Sequence, residues 1–542
     1  MTLFVNARVI SSARIGQVRG DAVLVRGERV AAVGQATRLH PDLAAGEEVI
    51  DLQGAVVLPG FVDAHVHTGL YARGLFSADL RDCTSLETAL QRVATHLRDR
   101  VEAAKAEGAW PQQPQWIFGQ AWDHNIWEVP QVPNRRALDA VTGAFPTALH
   151  STDAHTWWVN SAAMEALGLD ASTPDPVGGS FDRDSTGQLT GILRESAGRA
   201  VDQILASGAA GDLTAQLEHA QRQLWAQGLV GVHDFDGEDV RAGFAALHET
   251  GRLRMRVTKA ILAPELDVAL AEGRFTGSGD AWLRTGPVKI FSDGALGSHT
   301  CLMHEPLAGS GHGHGVAVTE EAGLRDLLVR SASAGLAVAT HAIGDRANEL
   351  VLDAYQGLAD QVSSGVVPSS PLVHRVEHAQ HLAVEDVRRF AALGVVPSMQ
   401  PLHATADFEL AERLMGDRPM ASYAWRSLLN AGTTLAFGSD APVEPPSPLG
   451  GIHAAVTRQR PDGRPDGGWQ PHERLSVGEA IAGFTTGAAH AAGVGHLSGE
   501  IRPGMFADFT VLREDPYAVK PSDLPHIPVA GVITGGRVRH WV

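Results

Sequence analysis

The chain has 542 residues, which is too long for one small module and suits a large catalytic domain with an appendage. Hydrophobic residues make up 44% and charged residues 20%, which is typical of a folded protein and excludes global disorder. The formal net charge of −18 argues against nucleic acid as a partner, because phosphates repel an acidic surface. The chain has only two cysteines, Cys83 and Cys301, but 25 histidines, so imidazole and carboxylate groups would have to bind any transition metal.

The N-terminal segment MTLFVNARVI lacks the basic region, the apolar region and the cleavage site of a secretory signal peptide. No stretch approaches the roughly 20 apolar residues that a membrane-spanning helix needs. We therefore expect a cytoplasmic protein with two free thiols and no membrane partner.

Both ends of the chain have the character of short β-strands. Residues 1–58 and 491–542 each contain β-prone apolar runs, many of them bounded by glycine. We expect the two ends to pair into one small β-sandwich beside the central region. The runs are 22–25, 30–33, 55–58, 507–512 and 529–534.

The central region, residues 59–490, repeats a strand followed by a helix. Eight apolar runs end in polar residues, and most precede a segment with helical spacing of apolar residues, such as 319–334, 345–360 and 383–393. Eight such units predict an α/β fold, the (β/α)8 TIM barrel with parallel buried strands. About 160 residues follow the first run, too many for a loop, so about 70–225 should hold an inserted subdomain. The runs are 61–67, 229–235, 255–262, 287–293, 337–343, 374–380, 395–401 and 434–440.

Residues that could bind a metal ion recur where these runs end. His65 and His67 close the first run, and residues two apart in a strand share a face, so both rings can reach one ion. Lys289 lies within the fourth run, where a charged amine is costly to bury unless it is paired, modified or faces a polar cavity. The fifth, sixth and eighth runs end near His341, His378 and Asp440.

These six residues predict a metal centre at the C-terminal ends of the strands, where TIM barrels carry their active sites. Imidazole and carboxylate ligands suit zinc and other late divalent ions. Any one of them alone would more often be structural, but their shared position favours a common role. A second HxH pair, His312 and His314, lies in a glycine-rich segment and is interpreted as a loop. No GxSxG, HExxH or Walker-type motif supports another catalytic system.

Several segments spread over nearly the whole chain carry a family resemblance. They are LPGFVDAHVH, GQAWDHNIW, STDAHTWWVNSAAM, THAIGDRANELVLDAY, RVEHAQ, SMQP, FGSDAPVEPPSPLGGIHAAV and GEIRPGMFADFTVL. Together they resemble the amidohydrolase superfamily of metal-dependent hydrolases, and in particular its YtcJ-like branch, which includes N-substituted formamide deformylases. The two terminal segments are similar to the two sides of the β-sandwich that flanks such barrels.

The resemblance implies a role for each candidate ligand. Lys289, carboxylated by CO2 on its side-chain nitrogen, would bridge two divalent ions, zinc being the expected metal at one or two ions per chain. Asp440 would bind metal and transfer the proton. Each histidine pair would bind one ion, the first pair being His65 and His67 and the second His341 and His378.

The implied reaction is the hydrolysis of a non-peptide C–N bond, in an amide or formamide, by metal-activated hydroxide. His155 and Trp122 in the insertion are candidates for binding the substrate, with a structural histidine and a core tryptophan as the alternatives. A deaminase, a cyclic-amide hydrolase or an isomerase on the same fold stays open. A non-catalytic scaffold relative is disfavoured because all six ligand positions are present. We expect a small amide-type substrate, and a homodimer by resemblance only.

Overall fold

The computed structural model describes residues 1–12, 16–40, 47–106, 115–209, 211–309 and 313–542. Within these ranges the strands form one sheet of eight parallel strands, one of eight strands from both chain ends, one of six strands and one of two. The two-stranded sheet pairs His381–Ala383 with Met420–Ser422.

The eight parallel strands form a nearly closed barrel in which each strand neighbours the next along the chain. The first and last strands meet where the backbone N–H of Asp440 donates to the carbonyl of His65 at 2.7 Å. All eight predicted runs overlap a barrel strand, so the TIM barrel is confirmed. The strands are β1 (Phe61–Val66), β2 (Leu229–Asp234), β3 (Arg256–Leu262), β4 (Leu283–Phe291), β5 (Val338–Ala342), β6 (Arg375–His378), β7 (Val396–Met399) and β8 (Ala436–Phe437).

Helices pack around the barrel through one apolar face each. In Asp345–Ser363, for example, Val351, Tyr355 and Leu358 are buried at helical spacing, while the opposite face is polar. The helices that follow β2 to β8 are Glu238–Glu249, Leu266–Ala271, Glu321–Ser333, Asp345–Ser363, Val387–Leu393, Pro401–Met415, Trp425–Asn430, Pro448–Thr457, Val477–Ala482 and Ala488–Ala491.

Strands from both chain ends share one sheet. Phe509–Leu512 pairs antiparallel with Glu48–Pro59, which places Val511 opposite Val57. The sheet has its own apolar core, to which both ends contribute, and the pairing predicted for the two ends is confirmed. The short helix Ala36–Leu39 packs on it. The remaining strands are Thr2–Ile10, Val18–Gly20, Ala22–Arg26, Arg29–Gly34, Val529–Thr534 and Arg537–Trp541.

The six-stranded sheet lies between β1 and β2 in the sequence, where the insertion was predicted. We retain 1–58, 59–490 and 491–542, with the insertion at about 70–225, as proposed domain boundaries. The strands of the six-stranded sheet are Ala78–Asp79, Ile117–Trp122, Thr147–Ser151, Thr156–Val159, Gly179–Arg183 and Leu189–Glu195. The helices between β1 and β2 are Thr68–Gly74, Leu86–Ala106, Arg135–Thr142, Ser161–Ala166, Arg199–Ile204 and Leu213–Ala226.

Two further expectations concern thiols and the membrane. Cys83 and Cys301 are both buried and free, as predicted. In the part of the chain that the structure describes, no helix is both long enough and apolar enough to cross a bilayer.

The terminal sheet is attached to the barrel by buried polar contacts. The hydroxyl of Thr510 donates to the carbonyl of Gly228 at 2.6 Å and accepts the backbone N–H of Phe61 at 2.9 Å. Arg256 on β3 donates to both oxygens of Asp508, at 2.9 and 3.2 Å. These contacts set the position of the terminal sheet against β1, β2 and β3.

We predict that Asp508→Ala destabilises the protein by about 3 kcal/mol, because it leaves the largely buried Arg256 guanidinium without its main counter-charge. The midpoint of urea unfolding measures this change. Glu28→Gln is the matched control, since Glu28 contacts the same guanidinium at 3.3 Å but is 44% exposed. It should cost less than about 0.5 kcal/mol. Equal losses in the two variants would contradict the prediction.

Candidate metal centre

The predicted ligands converge at the C-terminal ends of the barrel strands. One donor atom from each of His65, His378 and Asp440 lies within 4.8 Å of the other two. The Nε2 atom of His67 lies 3.5 Å from Asp440 Oδ1. The ring of His341 is centred 4.5 Å from that of His378. Two histidines and one carboxylate are therefore close enough to share one ion, and His67 and His341 lie beside them.

Lys289 reaches the same place from β4. Its Nζ lies 4.9 Å from the ring centre of Phe235, and the ring of His65 is stacked on the same phenylalanine at 4.2 Å. The side chain is 1% exposed. Burial lowers the pKa of Lys289 to about 8, so an uncharged amine is accessible near neutral pH.

Four of these residues carry a buried polar atom that has no hydrogen-bond partner among the described residues. The atoms are His65 Nε2, Lys289 Nζ, His341 Nδ1 and Asp440 Oδ1. Buried polar atoms are nearly always bonded, so four such atoms in one cluster indicate a shared partner of another kind. Imidazole nitrogens beside a carboxylate suit a divalent ion such as zinc, and the residues fit that group.

The backbone is strained at two of the ligand positions. His378 has φ of 73° and Asp440 has φ of 60°, in the left-handed region that residues other than glycine rarely occupy. His378 is the last residue of β6, and Asp440 follows β8. At both positions the left-handed conformation turns the chain at the end of the strand, where the side chain points toward the cluster. The Nδ1 atom of His378 is then held by the side-chain oxygen of Gln400 at 2.9 Å.

Carboxylates hold His65 of β1 and His67, which follows β1, in an orientation suited to metal ligands. The Nδ1 of His65 donates to Glu377 at 2.6 Å, and the Nδ1 of His67 donates to Asp236 at 2.9 Å. Both Nε2 atoms are thereby left facing Asp440. Burial, aided by the charge of Lys289, lowers the pKa of His65 well below its usual value, which favours the neutral imidazole that binds metals.

Asp293 is tied to the backbone at the end of β4. It accepts N–H bonds from Leu302, Ile343 and Gly344 at 2.8 to 3.1 Å, and it lies 3.5 Å from His341 Nε2. Burial raises the pKa of Asp293 to about 7, against these hydrogen bonds. It therefore joins the loops after β4 and β5 next to a predicted ligand.

A cavity of about 410 Å³ opens above the cluster, between the insertion and the barrel. His155 lines it, with its ring centred 5.4 Å from that of His341. Its Nδ1 donates to Glu195 at 2.7 Å. Burial alone would lower the pKa of His155, but the Glu195 carboxylate outweighs burial and raises it to about 9, so this ring is cationic at neutral pH.

Trp122 was a candidate either for binding the substrate or for packing in the core, and its position is compatible with both. It lines the cavity, yet it is 2% exposed and packs in the core of the insertion. Its indole N–H donates to the carbonyl of Leu149 at 2.9 Å. In the second HxH pair, His314 bonds the carbonyl of Met303, while His312 lies outside the described residues.

Three residues of the site were missed from the sequence. Glu377 and Asp236 orient ligands, and His403, from the helix after β7, lies with Nε2 3.9 Å from Asp440 Oδ2. The sequence RVEH did contain a signal for Glu377. Arg375 and Glu377 are two apart in a buried strand, which puts two opposite charges on one face.

Comparison with known proteins identifies the family. Residues 48–540 match the model of the Amidohydrolase family. The chain belongs to this family.

Relatives of this amidohydrolase span almost the whole chain. YtcJ of Bacillus subtilis (strain 168) is 31% identical over 528 residues, which is 96% of each protein. The N-substituted formamide deformylase of Arthrobacter pascens is 29% identical over 555 residues, 96% of this chain and 95% of that one. The crystal structure of an uncharacterized metal-dependent hydrolase from Pyrococcus furiosus is 28% identical, with a TM-score of 0.73, covering 95% of this chain and 99% of the other.

These comparisons confirm the resemblance to the YtcJ-like branch and make the protein a member of a metal-dependent hydrolase family. The roles of the six candidate ligands, of His155 and of Trp122 stay predictions.

We predict that Glu377→Ala lowers metal affinity by about 10- to 100-fold, since His65 loses the partner that fixes its orientation. Bound metal per chain after dialysis against a graded chelator series measures the change. Glu377→Gln keeps a hydrogen-bond acceptor and should lose less. Glu385→Gln is the matched control, because Glu385 is exposed in the segment that follows the same strand. This variant should keep wild-type metal content. Wild-type affinity in Glu377→Ala would contradict the prediction.

Proposed function

We propose that this amidohydrolase hydrolyses a non-peptide C–N bond of an amide or formamide with the help of a divalent metal ion, zinc by preference. The observation that carries the proposal is the cluster of four unpartnered buried atoms beneath a cavity of about 410 Å³. The formamide class is supported by the deformylase relative, which matches almost end to end. The residues that would hold the metal are His65, His67, Lys289, His341, His378 and Asp440.

A bound divalent ion would supply a hydroxide nucleophile at neutral pH and polarise the substrate carbonyl. We assign the transfer of the proton to Asp440. Its Oδ1 lies 3.4 and 3.5 Å from the Nε2 atoms of His65 and His67, and its Oδ2 lies 3.9 Å from the Nε2 atom of His403. We assign to Oδ2 the proton that is later delivered to the leaving nitrogen.

His155 is assigned to the carbonyl oxygen of the substrate. Glu195 occupies its Nδ1, which leaves Nε2–H of the cationic ring as a donor at the cavity wall beside His341. A positioned cationic donor stabilises the negative charge that develops on that oxygen. Glu195 is itself held by the hydroxyl of Thr300 at 2.7 Å, so a loop after β4 fixes the pair. Trp122 would form part of the cavity wall.

The decisive experiment assays N-formyl, N-acyl and cyclic amides, together with aminated heterocycles, on zinc-loaded protein. We expect N-substituted formamides or simple amides to be hydrolysed, with a loss of at least about 100-fold in rate after chelation, because the nucleophile depends on the ion. Added zinc should restore the rate. Unchanged activity after metal removal would refute the proposal. Turnover confined to heterocyclic amines or cyclic amides would replace it by deamination or ring opening.

We further predict that Lys289 is carboxylated. Its amine is buried without a partner and is accessible in the neutral form that reacts with CO2, and the resulting carbamate would be an anionic oxygen ligand. Protein equilibrated with 13C-bicarbonate should show one carbamate carbon signal, absent in Lys289→Met.

Lys259→Met is the matched control for that label. Lys259 is similarly buried, at 2% exposed, but its Nζ forms an ion pair with Asp234 at 3.0 Å. The carbamate signal should persist in this variant. A signal that survives Lys289→Met, or full metal content without any signal, would exclude the bridging carbamate.

A further inference from the structure

One side of the cavity above the metal centre is lined by carboxylates that have no cationic partner. We define the acidic wall as Asp123, Asp153, Asp407 and Glu444, all of which line the cavity. In the described ranges, none of these four carboxylates lies within 4.0 Å of a lysine or arginine nitrogen. We propose that the acidic wall binds a cationic group of the substrate, so that the preferred amide carries an ammonium group on its amine side. This inference rests on the proposed function.

Of the cationic side chains that line the same cavity, His155 is paired with Glu195, and two arginines are paired with carboxylates outside the acidic wall. Arg194 forms two bonds of 2.9 Å to Asp182. Arg460 lies 3.4 Å from Glu409 and donates to the backbone carbonyl of Thr405. Arg413 is exposed on the last turn of its helix. The cavity therefore has an excess of negative charge on the side of the acidic wall.

The hydrogen bonds of the acidic wall come from uncharged groups. Asp407 accepts the hydroxyl of Tyr423 at 2.7 Å, and Asp123 accepts the backbone N–H of Asn125 at 2.8 Å. Near Glu444, the guanidinium of Arg81 donates to the backbone carbonyls of Pro442 and Val443, and not to the carboxylate. The carboxylates of the acidic wall therefore lack a direct ion pair with a lysine or arginine side chain in the described ranges, and more distant cations such as Arg81 compensate their charge only through space.

The four carboxylates also act on one another. Burial raises the pKa of Asp407, and the charges of Asp123 and Asp153 raise it further, against His403 and Tyr423. Burial likewise raises the pKa of Glu444, against the charges of His403 and Arg81, and the charges of Asp407 and Asp440 add a smaller contribution in the same direction as burial. A cation placed among them would relieve both desolvation and like-charge repulsion, which a neutral group cannot do.

A second observation links the acidic wall to the reaction centre. His403 is 6% exposed, and its Nε2 is buried without a hydrogen-bond partner among the described residues. It lies 3.9 Å from Asp440 Oδ2 and one turn before Asp407 on the helix Pro401–Met415. His403 lines the same cavity as the acidic wall, so a buried ring nitrogen without a partner among the described residues points to a polar ligand atom there. We assign that atom to the amine side of the substrate.

The test compares two formamides of equal length on zinc-loaded protein. N-(4-aminobutyl)formamide carries the ammonium group, and N-pentylformamide replaces it with methyl. We expect KM to be lower for the cation by about tenfold or more, because a charge pair in a half-buried cavity is worth more than a surface pair. A KM for N-(4-aminobutyl)formamide that is equal to or higher than the KM for N-pentylformamide would overturn the inference.

Two isosteric variants locate the effect. Asp407→Asn and Glu444→Gln should each reduce the tenfold preference to about threefold or less, since each removes one negative charge. Glu412→Gln removes the same charge from the exposed face of the same helix and should keep the preference. A preference that both wall variants retain would overturn the assignment.

Direct binding separates this inference from the proposed reaction. Calorimetry with butylammonium and with 1-butanol on metal-loaded wild-type protein needs no turnover. Tighter binding of butylammonium, lost in Asp407→Asn and Glu444→Gln, would support the acidic wall even if no formamide were hydrolysed. Hydrolysis of N-pentylformamide without any preference for butylammonium would uphold the reaction and overturn the acidic wall.

Discussion

The structure depends on an ion pair that is sealed inside the barrel. Arg375 and Glu377 are both fully buried, and Arg375 donates to both carboxylate oxygens of Glu377, at 2.6 and 3.0 Å. The same guanidinium donates to the carbonyl of Ala64 at 2.6 Å and the hydroxyl of Ser398 at 2.8 Å, and it contacts His233 Nδ1 at 2.9 Å. Four strands, β1, β2, β6 and β7, are thus connected through one side chain.

A buried ion pair is stabilising only when nearly all of its hydrogen bonds are made, because removing two charges from water costs several kcal/mol per ion. In this protein, the hydrogen bonds that satisfy the buried ion pair also reach the candidate metal centre. Glu377 completes its own hydrogen bonding through His65, so the arrangement that satisfies the barrel interior also orients the ring that faces Asp440. Folding of the interior and preorganisation of the site are one event.

The sequence was sufficient for the barrel and for the residues at the strand ends. Parallel strands buried on both faces are continuous apolar runs, and a histidine or lysine within such a run stands out. The partners of those residues could not be predicted in the same way. Glu377 meets His65, and Asp236 meets His67, only through the alignment of strands that are far apart in the sequence.

Three other features could not be predicted from the sequence. The eighth run continues to Asp440, but β8 ends at Phe437, and the left-handed backbone of Asp440 has no local sequence signature. His403 comes from a helix, and its place beside Asp440 follows from how that helix packs on the barrel. The cavity itself depends on how the insertion sits over the strands, with Glu195 bonded to Thr300 of a barrel loop.

The shared terminal sheet has a consequence for the order of events during synthesis. Glu48–Pro59 leads directly into β1, which contains His65 and ends just before His67, and its partner strand Phe509–Leu512 follows all eight barrel strands in the sequence. Thr510, on that late strand, bonds the backbone of Phe61 at the start of β1. The start of β1 is therefore anchored only after all eight barrel strands have been synthesised, so we expect the predicted ligands His65 and His67 to reach their final positions after that point.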